Sequence, residues 1–330
     1  MNIGNIIYEI WLNKDSVDKA YSLTNRMDIK KINEELLNYL EEYEFKNNWI
    51  EKYRKDMIYH LKEKHKISNL FPFEFAQDIL KVLKEIEKGG EVLKRVFSIK
   101  CFGDSKYFEK NIENIIVKII KIYLLDNENK EEYSKEDILL EVGISKYPEI
   151  IEFCGDLTCF INNEKIEYKK ETVGSYINSY NVKEMQDLEI KNSNKIIFIE
   201  NKANYIDYIQ NKRKNDEFIV YHGGMYSPIK GEFFKKIYKV SKGKEFYHWS
   251  DIDIGGFKIF VRLLQIIPEV KQYKMDKESL YSKENYWKQI SIDYRNKLLK
   301  MREIEEYKIF YDVIDEMLKN NCKLEQEAFI

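Results

Sequence analysis

The sequence predicts an α/β protein whose C-terminal part is a parallel sheet with helices on both faces. An α+β segment and a mostly helical N-terminal region precede it. Three patterns carry this expectation. From residue 195 onward, short apolar runs alternate with amphipathic ones. Around "NNEK", two runs of alternating polarity face each other like the arms of a hairpin. Between Gly4 and Gly89 there is no glycine and only Pro72, while apolar residues recur at helical spacing.

Taken in order, residues 1–88 carry Ile32, Leu36, Leu40 and Tyr43, then Phe75, Ile79, Val82, Leu83 and Ile86, each series on one helical face. The second series stops at "KGG", a natural helix terminus. Their charged faces suit an arm or a partner-binding module. Residues 89–190 are mixed. "DSKYFEKNIENIIVKIIKIYLL" places Ile112, Ile115, Ile116, Ile119, Ile120 and Tyr123 together, and "SKEDILLEVGIS" is a short helix capped by Ser134. "PEIIEF" follows as a strand and "LTCFINNEKIEYKK" as a β-hairpin. Helices followed by a hairpin resemble a winged helix, which reads DNA; a small α+β packing domain has the same pattern. Residues 191–330 then give strand "KIIFIE", helix "YIDYIQNKRKN", strand "EFIVYHGG", helix "SPIKGEFFKKIYKVS", strand "EFYHWSDID", helix "GGFKIFVRLLQII" and strand "VKQYKMD". Apolar strands separated by helices imply a parallel sheet covered on both faces, with chemistry at the carboxyl ends of its strands.

Composition narrows the class. With 330 residues, 44% hydrophobic and 34% charged, the chain can bury cores for two or three domains. No apolar stretch is long enough to span a membrane, and "MNIGNIIYEIWLNKDS" lacks the features of a signal peptide, so a cytoplasmic protein is expected. Cys101, Cys154, Cys159 and Cys322 form no CxxC pair, which argues against a disulfide framework or zinc knuckle. Net charge is −2, so nucleic-acid binding must rest on local charge. Residues 201–250 supply it, with ten basic residues against five acidic, immediately before an unusual acidic motif. A solvated helix face accounts for such a run equally well.

That motif is "HWSDIDIGGF". Asp251 and Asp253 lie two apart at a strand end, so both carboxylates project to one side, about 6–7 Å apart at the backbone. Glu200 ends the first strand of the same series. Three carboxylates at one sheet edge suit Mg²⁺, with Mn²⁺ as a substitute, since hard oxygen donors with room for water are what Mg²⁺ prefers. Gly255 and Gly256 permit the tight turn that follows. As a structural alternative, Asp253 caps the next helix. A strand-end Glu followed by DxD two β–α units later is the signature of Toprim domains, which act on nucleic-acid phosphodiesters.

Further motifs widen the likeness. "FGDSKYFE" (102–109), "PEIIEFCGDL" (148–157), "FIENKA" (198–203), "YHGG" (221–224), "HWSDIDIGGFKIF" (248–260) and "LEQEAF" (324–329) together resemble the JetD-like family, long known only as a domain of unknown function. Its best-known member is the nuclease subunit of the Wadjet anti-plasmid system. The resemblance covers about 90–330. It implies a build similar to the A subunit of type IIB topoisomerases, a winged-helix-type CAP domain before a Toprim domain. It further implies double-stranded DNA as substrate, circular plasmid DNA above all, a homodimer, and partners in an SMC-like ATPase complex. The metal triad falls on Glu200, Asp251 and Asp253. Ser250 departs from the glycine expected there.

Around this centre, Glu325 and Glu327 of the tail are further metal-ligand candidates, with Leu324 and Phe329 docking the segment. Ser105, Lys106, Lys212, Arg213, Lys235, Lys236 and Lys239 are the candidate DNA contacts. Asp104 or Ser105 serves equally as a helix cap. His222 and His248 read as structural, and Cys154 and Cys159 as core. Water is the expected nucleophile. The rival readings are a topoisomerase-like tyrosine transesterase, a non-cleaving DNA-bridging protein and, weakest, a DxD phosphatase.

Overall fold

A computed structural model describes residues 13–24, 28–125, 133–169, 173–224 and 226–330. The chain divides into two compact units: residues 1–88 with 98–128, and residues 89–97 with 129–330. The segment expected as a domain of its own, 89–190, is thus shared between them. No helix among the described residues is long and apolar enough to cross a membrane.

The first unit is helical. Helices α1 (Ile29–Glu41), α2 (Asn48–Lys62), α3 (Ala76–Glu87) and α4 (Glu113–Tyr123) form it, the last preceded by a π-helical turn at Phe108–Ile112. Asp28 and Asn47 cap α1 and α2 by accepting from Lys30 N and Trp49 N. Ile79, Val82 and Leu83 meet the solvent-free interior that Leu36, Leu40, Ile116, Ile119 and Ile120 also enter. Arg54 is a charge buried among them. Arg54 donates Nη1 to the Leu40 carbonyl at 2.8 Å and grips both oxygens of Glu51 at 2.8 Å. The guanidinium, helped by the Phe45 N–H, pulls the Glu51 carboxyl down to about 2.

The second unit is built on strands β1 (Ile150–Cys154), β2 (Leu157–Ile161), β3 (Glu164–Tyr168), β4 (Ser175–Asn178), β5 (Met185–Ile190), β6 (Lys195–Ile199), β7 (Glu217–Tyr221), β8 (Glu245–Trp249) and β9 (Lys271–Gln272). Six form one sheet in the order β9-β8-β6-β7-β1-β4, and β3-β2-β5 form a second, antiparallel one. Strands β9, β8, β6 and β7 run parallel. Ile196 to Ile199 and Phe218 to Val220 are all buried, the continuous apolar pattern of strands covered on both faces. Helices α5 (Lys135–Leu140), α6 (Lys202–Asp207), α7 (Pro228–Val240), α8 (Ile254–Leu264), α9 (Ile292–Arg302) and α10 (Tyr311–Asn320) complete the unit. Ser134, Asn201, Ser227 and Asp253 cap the first four through their side chains.

Two elements differ from the sequence reading. "PEIIEF" does not pair with the hairpin strands; it enters the large sheet as β1, antiparallel to β7 and β4. Phe153 explains this, because its ring stacks on Phe218 of β7 at 5.6 Å and is fully buried. "VKQYKMD" contributes only two strand residues, since Lys274 adopts a left-handed φ of 54° that turns the chain away. The hairpin itself forms as read, with Asn162 and Asn163 at φ 52° and 67° in a two-residue turn.

Order along the large sheet decides where ligands can approach. The chain leaves β6 for β7 on one side, then crosses back to β8 on the other. A crevice opens where such connections diverge, outside the carboxyl ends of β6 and β8. Directly beneath this edge lie two fully buried histidines. The His222 and His248 rings sit 5.0 Å apart, packed among Phe198, Tyr226, Phe234 and Phe260. Among the described residues neither ring nitrogen of His248 has a hydrogen-bond partner.

Burial depresses both histidines, His248 to about 3 and His222 well below its usual value, the latter with His248, Lys230 and Arg262 adding repulsion. A histidine neutral in the fold and ordinary when unfolded contributes no penalty above about pH 6.5, and destabilises progressively as pH falls below it. Each such group adds a slope of about 1.4 kcal/mol per pH unit. His248→Gln is therefore expected to flatten the acid limb of stability by up to one proton's worth between pH 6.5 and 5. Urea unfolding of variant and parent across that range measures it.

Candidate functional site

Parallel pairing of β6 with β8 places Ile199 opposite Trp249, so the chain leaves both strands side by side. Glu200 follows at once, its N–H donating to the Trp249 carbonyl at 2.9 Å. A Cβ on Gly224, just past β7, would lie 3.6 Å from Glu200 Oε1, so this carboxylate lies toward the end of β7, the neighbour of β6 on the side away from β8. Asp251 and Asp253 leave the neighbouring strand end.

The two aspartates have different partners. Asp251 Oδ1 accepts from the Gln326 N–H at 2.6 Å. Burial pushes its carboxyl up to about 7, with the Asp253 charge second and Glu327 and Glu325 contributing. Asp253 Oδ1 caps α8 by accepting from Gly256 N at 2.8 Å, while Oδ2 faces Lys323 Nζ at 3.7 Å. Its carboxyl is raised too, by burial, against the pull of the Gly256 N–H and Lys323. Capping and the pairing with Lys323 therefore use different oxygens of one side chain. Among the described residues no three acidic, histidine or cysteine side chains already close on a common point.

The turn after the pair tolerates only glycine at 256. A Cβ there would meet the Asp251 carbonyl at 2.2 Å and Ser250 Oγ at 2.7 Å. Ser250, where glycine was expected, is buried and donates to the Gly256 carbonyl at 3.2 Å, so the extra hydroxyl finds a partner inside the same turn.

The tail packs along this edge through Leu324 and Phe329, the two residues expected to dock it. Ile252 and Leu324 exchange backbone hydrogen bonds of 2.9 and 3.2 Å, and Leu324 is fully buried. Phe329 meets the Trp249 ring edge-on at 5.9 Å. Glu325 pairs with Lys288 at 2.5 Å, and Glu327 Oε1 accepts from Asn201 Nδ2 at 2.7 Å. Gln326, Asn201 and Lys323 were not singled out beforehand. For Asn201 the signal was its place one residue after a strand-end Glu, where a cap is needed; for Lys323 and Gln326 only the fold reveals it.

The basic residues are dispersed. Lys235 and Lys239 share an exposed face of α7, Lys235 paired with Glu232 at 2.6 Å. Lys236 donates to the Met185 carbonyl at 2.7 Å, and Lys230, counted in the local charge excess, is buried against Glu149 at 3.6 Å. Lys212 binds the Phe329 carbonyl at 3.0 Å and pairs with Asp207, while Arg213 Nε donates to the Glu217 carbonyl at 3.1 Å. Ser105 and Lys106 belong to the first unit, where Asp104 accepts from Lys106 N at 2.7 Å as a local cap. Cys154 and Cys159 are buried and unbridged.

Residues 163–330 match the family model described as Wadjet protein JetD, C-terminal. The chain belongs to the JetD family. Over 337 aligned positions it is 27% identical to the Wadjet protein JetD of Bacillus cereus strain Q1, covering 99% of this chain and 80% of that protein. In this JetD-family chain the match spans β3 through the tail, so Glu200, both aspartates and Gln326 all fall within it.

Gly256→Ala tests the tight turn without touching a carboxylate. Overpacking of a closed site costs about 1–3 kcal/mol, and here the nearest atom is backbone. Thermal unfolding of the variant is expected to show that loss, and Ser250→Gly is not expected to rescue it.

Proposed function

We propose that the chain is the nuclease subunit of a Wadjet-type anti-plasmid complex, a Mg²⁺-dependent endonuclease acting on double-stranded DNA. The observation that carries this reading is that the level ends of β6 and β8 lead directly into Glu200 and into the Asp251–Asp253 pair. In this reading the large sheet is a Toprim domain and residues 89–190 provide winged-helix-like DNA contacts. Circular plasmid DNA is the physiological target, the working form is a homodimer, and the partners are subunits of an SMC-like ATPase complex.

The donor set fits a hard divalent cation. Three carboxylates from two neighbouring strand ends supply oxygen alone, and the burial that raises Asp251 and Asp253 marks negative charge that protein groups compensate poorly. Mg²⁺ keeps several waters, so one or two direct carboxylates suffice. Glu200, Asp251 and Asp253 would hold it, with Glu327 within the same acidic edge; Mn²⁺ would substitute. Bound there, the ion supplies electrostatic stabilisation of charge on the scissile phosphate. Glu200 is the residue proposed to move a proton to or from water. Exposed Lys235 and Lys239, with Lys106, Lys212, Arg213 and Ser105, are the proposed contacts to the DNA backbone.

A second reading has one observation behind it. Tyr294 Oη accepts from Ile254 N at 2.8 Å, one residue beyond Asp253, so a tyrosine does stand beside the acidic edge. A tyrosine transesterase would leave protein attached to DNA.

Glu200→Gln and Asp253→Asn are the informative variants, the second because asparagine preserves the helix cap. Both are expected to cut supercoiled DNA about 10³-fold more slowly with Mg²⁺ or Mn²⁺, near 4 kcal/mol in the barrier, while binding it almost normally. Denaturing gels should show free ends. Covalently trapped protein would move the assignment to Tyr294-type chemistry, and full cutting by both variants would end the Toprim reading.

A further inference from the structure

Gln326 is the polar residue most enclosed by this edge. It is 1% exposed, and four of its groups are spoken for by residues that flank the acidic side chains. Its backbone N–H donates to Asp251 Oδ1 at 2.6 Å. Side-chain Oε1 accepts from Asn201 N, directly after Glu200, at 3.1 Å. Nε2 donates to the Trp249 carbonyl at 3.3 Å, the same oxygen that receives the Glu200 N–H. The Gln326 carbonyl accepts from Asn204 Nδ2 at 2.8 Å. One amide thus spans the gap between the ends of β6 and β8.

We infer that Gln326 is a positioning residue for the acidic centre: its side chain fixes the register of the tail, so that its own backbone N–H holds Asp251 by one carboxylate oxygen and thereby fixes the direction of the other. The inference rests on the metal-site reading above and adds to it a residue that is not itself a ligand. Its physical basis is orientation. A carboxylate accepting one fixed N–H loses rotational freedom before any cation arrives, and outer-shell partners of this kind are worth about 10–100-fold in metal affinity. Glutamine suits the place and glutamate does not, because the Trp249 carbonyl needs a donor and a further negative charge would face two buried aspartates.

Gln326→Met keeps length and volume while removing both side-chain hydrogen bonds. Two readouts apply, neither of them DNA cleavage. Hydrogen exchange of amides 322–330 in chelator-treated protein reports the hold on the tail and is expected to quicken at least tenfold. Titration with Mn²⁺ followed by electron paramagnetic resonance reports the centre, and its Kd is expected to rise about tenfold. Asp251→Asn serves as the control for the metal site.

Exchange at the parent rate, or faster exchange with Mn²⁺ affinity within twofold of the parent, overturns the positioning role while leaving the metal site standing. Parent protein that fails to bind Mn²⁺ overturns the metal site and this inference with it. If Gln326→Met does not fold, Asn204→Ala releases the Gln326 carbonyl instead and is held to the same two measurements.

Discussion

Two carboxylates of like charge leave one strand end and are taken out of water together. That is the constraint around which the second unit is arranged. Burial makes each aspartate costly to ionise, and the Asp253 charge makes Asp251 harder still. The surroundings answer with hydrogen-bond donors instead of bulk solvent: a helix N-terminus for Asp253, a tail N–H for Asp251, and Lys323 at a distance that leaves it a weak partner. A shift of strand register would undo this arrangement, because β6 and β8 end level, Ile199 opposite Trp249.

The packing below serves that level ending. Trp249, Phe198, Phe218 and Phe234 fill the layer under the edge, and the histidine pair occupies the same layer without hydrogen-bond partners for His248 among the described residues. Polar rings in such a place are tolerated only while neutral. The edge therefore combines acidic groups that resist losing protons with basic groups that resist gaining them, which gives the neutral forms of both an unusually wide range.

Much of this was legible. Strands at 195–199, 217–221 and 245–249 follow from short apolar runs bounded by turn residues, and helix starts at Ser134, Ser227 and Asp253 follow from capping side chains. Those signals are local, so sequence contains them. Glu200 and the aspartates were singled out because strand ends and alternation were readable at once. What escaped was long-range. Nothing in "PEIIEF" says that Phe153 stacks on Phe218, so its place in the large sheet was invisible. Two π-helical turns, at Phe108–Ile112 and Tyr208–Lys212, carry no periodic mark distinct from an α-helix. Gln326 was passed over between two glutamates because charge draws the eye, while its four partners lie more than seventy residues away in sequence.

The antiparallel bridge between Ile252 and Leu324 also makes the acidic edge a composite of segments far apart in the chain. Strands β6 to β8 lead into Glu200 and both aspartates, but without residues 322–329 Asp251 lacks the Gln326 N–H, Asp253 lacks Lys323, and Asn201 lacks Glu327. A single proteolytic cut between α10 and the bridge would therefore strip the edge of these partners without touching any strand of the large sheet.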